Sequence, residues 1–106
     1  MKLSEILKIC SENAVERFQY NVIKGTTDTE VTGITSDSRN MQNGYAFVCI
    51  KGAVSDGHKY ISQVADKASV IVVLDEYDIS GYDGNSTVIS TGNTRLALAL
   101  MSADIW

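Results

Sequence analysis

Three short polar clusters in this 106-residue chain have the residue types and spacing to do chemistry. The first is Ser36-Asp37-Ser38-Arg39, in which two hydroxyls flank a carboxylate and a guanidinium follows. Hydroxyls and a planar guanidinium suit a phosphate oxygen or the edge of a heterocycle. The same residues also suit an ordinary capped turn, with Asp37 accepting from nearby backbone and Arg39 paired to a carboxylate. The second cluster is Asp56-Gly57-His58. It either presents amides to an anion at a helix start or is simply that helix start, with Ser55 or Asp56 as cap. The third is Lys51-Gly52, directly after an apolar run. Glycine there permits close approach of a ligand beyond a strand end, and equally suits a plain strand-ending turn. Residue types alone leave both readings of each cluster open.

The usual catalytic constellations are missing from the sequence. It has no GxxxxGK[ST] phosphate loop, no GxGxxG and no Gly-x-Ser-x-Gly elbow. One histidine and two distant cysteines, Cys10 and Cys49, cannot build a metal site. His58 has no sequence partner that would make it a catalytic base. The chain therefore reads as a binding module with no catalytic or metal-ligating residues of its own.

Composition narrows the partners. Nine basic residues against thirteen acidic ones give a net charge of -4, which argues against a nucleic-acid binder. An anionic small ligand stays compatible, because local amides and cations bind phosphate inside acidic proteins. The longest apolar run, Val70 to Leu74, is far too short to span a bilayer, and no signal peptide is visible. Both cysteines sit in apolar surroundings and read as buried free thiols of a reducing cytosol. Proline is absent, so glycine, asparagine and aspartate must make the turns.

The elements that must position these clusters follow from periodicity. Leu3, Ile6, Leu7 and Cys10 predict a helix over 3–12. Alternation of Phe18, Tyr20 and Val22 predicts a strand over 18–23, and 30–35 reads as a second short strand. Asn43-Gly44 predicts a turn with positive φ. Residues 46–50 and 70–74 are continuously apolar, as strands buried on both faces are. A helix is expected over 58–67, an exposed acidic loop over 75–85 and a strand over 87–90. A last helix begins at Thr94, capped by Asn93 and packed through Leu96, Leu100 and Met101. Apolar residues continue to Ile105 and Trp106, so the chain is expected to be cut from something longer. The order of elements predicts one small α/β domain with a mixed, partly parallel sheet flanked by helices.

Read together, three ordered segments resemble the N-terminal domain of the Mur ligases. They are Val31-Thr32-Gly33-Ile34-Thr35-Ser36-Asp37-Ser38-Arg39, then Gly44-Tyr45-Ala46-Phe47-Val48-Cys49-Ile50-Lys51-Gly52, then Asp56-Gly57-His58-Lys59-Tyr60-Ile61. The family pattern is DSR, GxxFVAxKG and DGHxFI, followed by a helix and a VVV-type strand. The resemblance covers essentially the whole chain. Its wording is most similar to the MurE branch, with MurF as the near alternative.

The resemblance implies a family enzyme of three domains. The first binds the UDP end of a UDP-MurNAc-peptide, the central one carries a GTNGKT loop for ATP and Mg²⁺, and the third helps bind the incoming amino acid. In the MurE branch the D-glutamate carboxylate of UDP-MurNAc-L-Ala-D-Glu is activated as an acyl phosphate. The amine of meso-diaminopimelate or L-lysine then attacks it. This chain would be the cytoplasmic substrate-binding domain, without cofactor and inactive alone, and its partners would be that substrate and the central and C-terminal domains. By the same resemblance Ser36, Ser38, Ala53, Val54 and Ser55 would contact the uridine-diphosphate moiety. Asp37, Arg39, Gly52, Asp56, Gly57 and His58 would support the motif. Many relatives carry a polar residue or histidine where Ala53 stands. A stand-alone non-enzymatic nucleotide-sugar module is the reading from a different class.

Overall fold

The chain was analysed as a computed structural model, which describes residues 1–13 and 18–102. Helix α1 (Leu3–Asn13) is followed by strands β1 (Asn21–Lys24), β2 (Gly33–Thr35) and β3 (Tyr45–Val48). A 3-10 turn (Gly57–Tyr60) runs into the short helix α2 (Ile61–Val64). Strands β4 (Val70–Leu74) and β5 (Thr87–Thr91) and helix α3 (Thr94–Ser102) follow, the last elements among the described residues. The five strands form one sheet in the order β1-β5-β4-β3-β2. Four are parallel and β1 runs antiparallel on the β5 edge, so the predicted mixed α/β sheet is what forms.

Alternation along the central strands builds two cores. Val70 and Val72 of β4, with Ala46 and Val48 of β3, face α1 and α3 and pack on Leu3, Ile6, Leu7 and Met101. The intervening Ile71, Val73, Phe47 and Cys49 face the other way and pack on Ile61, Val64 and Met41. A strand buried on both faces has no polar side to show, and so residues 70–74 read as an unbroken apolar run.

Several predicted boundaries move. The first strand is not 18–23: only Asn21–Lys24 pairs, its residues are exposed, and Phe18 is buried ahead of it. An edge strand has one neighbour, and the register slips between Val22 and Lys24 in a bulge. The second strand starts at Gly33, and Glu30 makes only an isolated bridge to Lys2. The helix expected over 58–67 splits into a 3-10 turn and one α-turn, with the Asp56 carboxylate accepting from the His58 amide at its start. In α3 the buried positions are Thr94, Ala97 and Met101, while Leu96 and Leu100 are half-buried at its flanks. Asn93 does cap α3, its Oδ1 accepting from the Leu96 amide at 3.0 Å. Ile105 and Trp106 lie outside the described residues.

Both cysteines are free and fully buried, and burial pushes their thiols up, to about 11 for Cys10 and about 12 for Cys49. Neither is a thiolate at neutral pH. A disulfide-exchange reagent should therefore label neither cysteine in the native chain and both in urea; fast native labelling would contradict this packing. Truncating the buried Leu7 to alanine should lower the unfolding free energy by about 2–5 kcal/mol in urea titrations. Truncating Val54, which is 99% exposed, should change it by less than about 0.5 kcal/mol.

Candidate functional site

Parallel pairing brings two of the polar clusters together. β2 and β3 are neighbours in the register Gly33 to Tyr45 and Thr35 to Phe47. Both strands therefore end on the same side of the sheet, and residues 36–39 emerge beside residues 49–56. Between them lies a cavity of about 650 Å³. Ser36, Ser38, Gly52 and Ser55 line it, with Tyr60 and Gln63 contributing from α2 and the turn before it.

The first loop is held by its own side chains. Thr35 Oγ1 accepts from the Asp37 amide at 3.0 Å. Asp37 Oδ1 accepts from the Arg39 amide at 2.9 Å and from Arg39 Nε at 3.0 Å, while Oδ2 accepts from Nη2 at 2.8 Å. The Arg39 guanidinium, and then its amide, hold the Asp37 carboxyl at about 2, below its ordinary 3.8. The two charges cancel within the loop. The Ser36 and Ser38 hydroxyls have no hydrogen-bond partner among the described residues, so they remain available to a ligand.

The second loop is a tight hairpin. Gly52 N–H donates to Ser55 O at 2.7 Å and Gly57 N–H to Ile50 O at 2.9 Å, closing Lys51 against Asp56. Ala53 and Val54 form its exposed tip. They do not line the cavity, but the amides of Ala53, Val54 and Ser55 donate to nothing among the described residues. From α3, Arg95 Nη2 reaches Lys51 O at 3.4 Å, which places a second cation beside the hairpin. Gly57 is required by close approach: a Cβ there would stand 2.9 Å from the Ile50 nitrogen and 3.2 Å from Cys49 Cα.

Asp56 and His58 lie behind the hairpin as an anchor. Asp56 Oδ1 accepts from the His58 amide at 3.0 Å and meets Nδ1 at 2.5 Å. The His58 amide, and then its ring, lower the Asp56 carboxyl below its ordinary value. The Leu74 amide donates to His58 Nε2 at 3.1 Å. Nε2 is thus the unprotonated nitrogen, and Nδ1 carries the proton given to Asp56. Both nitrogens are engaged and the ring is buried, so the imidazole offers no base to a ligand. Tyr77 stacks on it with centroids 4.5 Å apart, tying the 75–86 loop to the hairpin.

The structure gathers Ser36, Asp37, Ser38, Arg39, Gly52, Ser55 and Gly57 around one cavity and leaves Ala53 and Val54 at the hairpin tip. His58 instead reaches a separate cavity of about 420 Å³ under the 75–86 loop, whose charged lining is Asp66, Asp78 and Asp83 with Lys59. Sequence reasoning missed Tyr60 and Gln63 as cavity residues, and Arg95 as a neighbour of the hairpin. The available signal was their three-residue spacing at a helix start, which places both on one face.

A family model described as "Mur ligase family, catalytic domain" matches residues 30–102, a stretch that includes both loops of the cavity. The chain belongs to the Mur ligase family. It is 36% identical over 106 residues to the UDP-N-acetylmuramoyl-L-alanyl-D-glutamate–2,6-diaminopimelate ligase of Syntrophomonas wolfei, covering 100% of this chain and 20% of that protein. The Clostridium perfringens protein of the same name is 36% identical over 93 residues, covering 88% of this chain and 19% of that one. The chain thus spans about a fifth of the length of these Mur ligases. The fold is similar to that of MurF from Acinetobacter baumannii, with a TM-score of 0.62, 23% identity and coverage of 94% of this chain and 20% of that one.

Two outcomes check this geometry. A carboxylate with a depressed pKa favours the folded loop fully above its ordinary value of 3.8, and that contribution is lost as pH falls through about 2. A carboxyl-carbon NMR titration should give Asp37 a midpoint near 2, and Arg39→Ala should return it toward 3.8. A midpoint indifferent to Arg39→Ala would remove the ion pair as the cause. Gly57→Ala should cost about 1–3 kcal/mol of unfolding free energy through overpacking. Gly81→Ala, with nothing within 4 Å of its added carbon, should cost less than about 0.5 kcal/mol.

Proposed function

We propose that this chain is the N-terminal substrate-binding domain of a MurE-type ligase and that its cavity holds the UDP end of UDP-MurNAc-L-Ala-D-Glu. One observation carries the reading. Unpartnered hydroxyls of Ser36 and Ser38 stand across one cavity from a hairpin whose amides 53–55 are also unpartnered. Neutral donors of this kind meet uridine and phosphate oxygens without requiring a basic protein. The names of the relatives, which pair a UDP-N-acetylmuramoyl dipeptide with 2,6-diaminopimelate, support the substrate class.

In this reading Ser36, Ser38 and the 53–55 backbone contact the uridine diphosphate. Asp37, Arg39, Asp56, Gly57 and His58 shape the two loops. The ligase joins meso-diaminopimelate or L-lysine to the D-glutamate carboxylate in the cytoplasm, and ATP and Mg²⁺ act in a central domain. The residues of this chain do not fit that nucleotide and metal: the sequence holds no GxxxxGK[ST] loop, and no described cluster could hold a metal ion. No chemical step is therefore assigned to it; it binds and orients. The fold likeness to MurF keeps a D-alanyl-D-alanine-adding ligase as the second reading.

The test is an amide NMR titration of the chain with UDP-MurNAc-L-Ala-D-Glu, UDP and ATP. Shifts should gather at residues 36–38 and 52–57 with the uridine ligands and be absent with ATP. Ser36→Ala and Ser38→Ala should each weaken UDP by about two- to tenfold, the worth of one hydrogen bond. Equal shifts with ATP, or unchanged affinity in both variants, would defeat the proposal. With ATP, Mg²⁺ and substrate the chain alone should release no phosphate above blank.

A further inference from the structure

One wall of the cavity comes from a single turn of chain. Tyr60 and Gln63 stand three residues apart, share a face and both line the cavity. Ile61 and Val64 beside them are buried in the core, which fixes the rotation of the turn. Tyr60 is half-buried and packs on the Phe47 cluster, whereas Gln63 is exposed. Neither the Tyr60 hydroxyl nor the Gln63 carboxamide has a hydrogen-bond partner among the described residues.

The cavity is chemically lopsided. At the hairpin it meets Ser55, whose amide is free like those of Ala53 and Val54 at the tip, with Lys51 and Arg95 close by, a setting for phosphate oxygens. The wall formed by α2 and the turn before it instead offers the Tyr60 ring, which has the Lys59 amine 5.2 Å from its centroid, and a carboxamide with both donor and acceptor. An aromatic face accepts a flat base by stacking. A carboxamide pairs at two points with a heterocycle edge that carries a donor next to an acceptor.

We propose that Tyr60 and Gln63 read the nucleobase. Tyr60 supplies the stacking platform, and the Gln63 carboxamide accepts from uracil N3–H and donates to the neighbouring carbonyl, with the diphosphate turned toward the 53–55 amides. This rests on the uridine-nucleotide reading of the cavity.

Calorimetric titrations of the chain with UDP, N3-methyl-UDP and inorganic pyrophosphate test it. The methyl group removes the N3–H from which the Gln63 oxygen accepts. The unaltered chain should bind UDP about tenfold tighter than N3-methyl-UDP. Gln63→Leu should bind the two alike and hold pyrophosphate as the unaltered chain does; the exposed position spares the fold. Tyr60→Leu should weaken UDP and N3-methyl-UDP together and spare pyrophosphate, whereas loss of all three would mark Tyr60 as merely structural and overturn its part. If the unaltered chain binds UDP but Gln63→Leu leaves the UDP to N3-methyl-UDP ratio unchanged, the base-reading assignment fails and the uridine reading stands. If the unaltered chain does not bind UDP at all, both fall.

Discussion

The parallel pairing of β2 with β3 is the constraint on which the site depends. Strands that run the same way must end at the same edge, so whatever follows each of them meets there. β2 is only three residues long and has a single neighbour in the sheet. Its position is secured from the far end by Gly44, which turns the chain into β3 with φ at +87°. Gly44 N–H donates to Lys67 O at 2.9 Å, and its carbonyl accepts from the Thr32 amide at 3.0 Å and Ser69 Oγ at 2.8 Å. One residue thus ties the approach to β2, the chain after α2 and the approach to β4 into one frame.

Both loops of the cavity carry a carboxylate, and each is engaged locally. Here the same device is used twice. Asp37 accepts from the amide two residues on and caps the 3-10 turn at Ser38–Asn40. Asp56 does the same for the turn at Gly57–Tyr60. Arg39 offsets one carboxylate directly, and the His58 ring binds the other. The two loops then show hydroxyls, amides and the exposed Arg39 and Lys51 to solvent, and each of their two carboxylates is already engaged. The net charge of -4 says little about a site in which the acids are tied up locally.

Elements were legible in the sequence where burial left a simple pattern. Residues 70–74 were read to the residue because a strand covered on both faces is apolar throughout. The β1 region misled because Phe18, Tyr20 and Val22 alternate like a half-buried strand, while pairing begins only at Asn21 and Phe18 packs apart from it. The shortened α2 was hidden because periodicity does not distinguish a 3-10 entry from an α-helical one. For the site, residues 36–39 and 52–58 were visible as polar clusters, but composition could not show that they meet. Their meeting is a property of sheet order, and that order also brings in Tyr60, Gln63 and Arg95 from elements that read as ordinary helix.

The bulge in β1 has a consequence for how copies of this chain treat each other. Tyr20, Val22 and Ile23 are all more than a third exposed along the border of the sheet. A straight border of that kind would template the strand of another molecule and let sheets grow from copy to copy. The slipped register between Val22 and Lys24 breaks the regular row of donors and acceptors. The Lys24 amine is held to the Gly84 carbonyl and lies over the Tyr82 ring, so the end of the strand is tied to the loop ahead of β5. A border interrupted in this way is a poorer template for an incoming strand than a regular one.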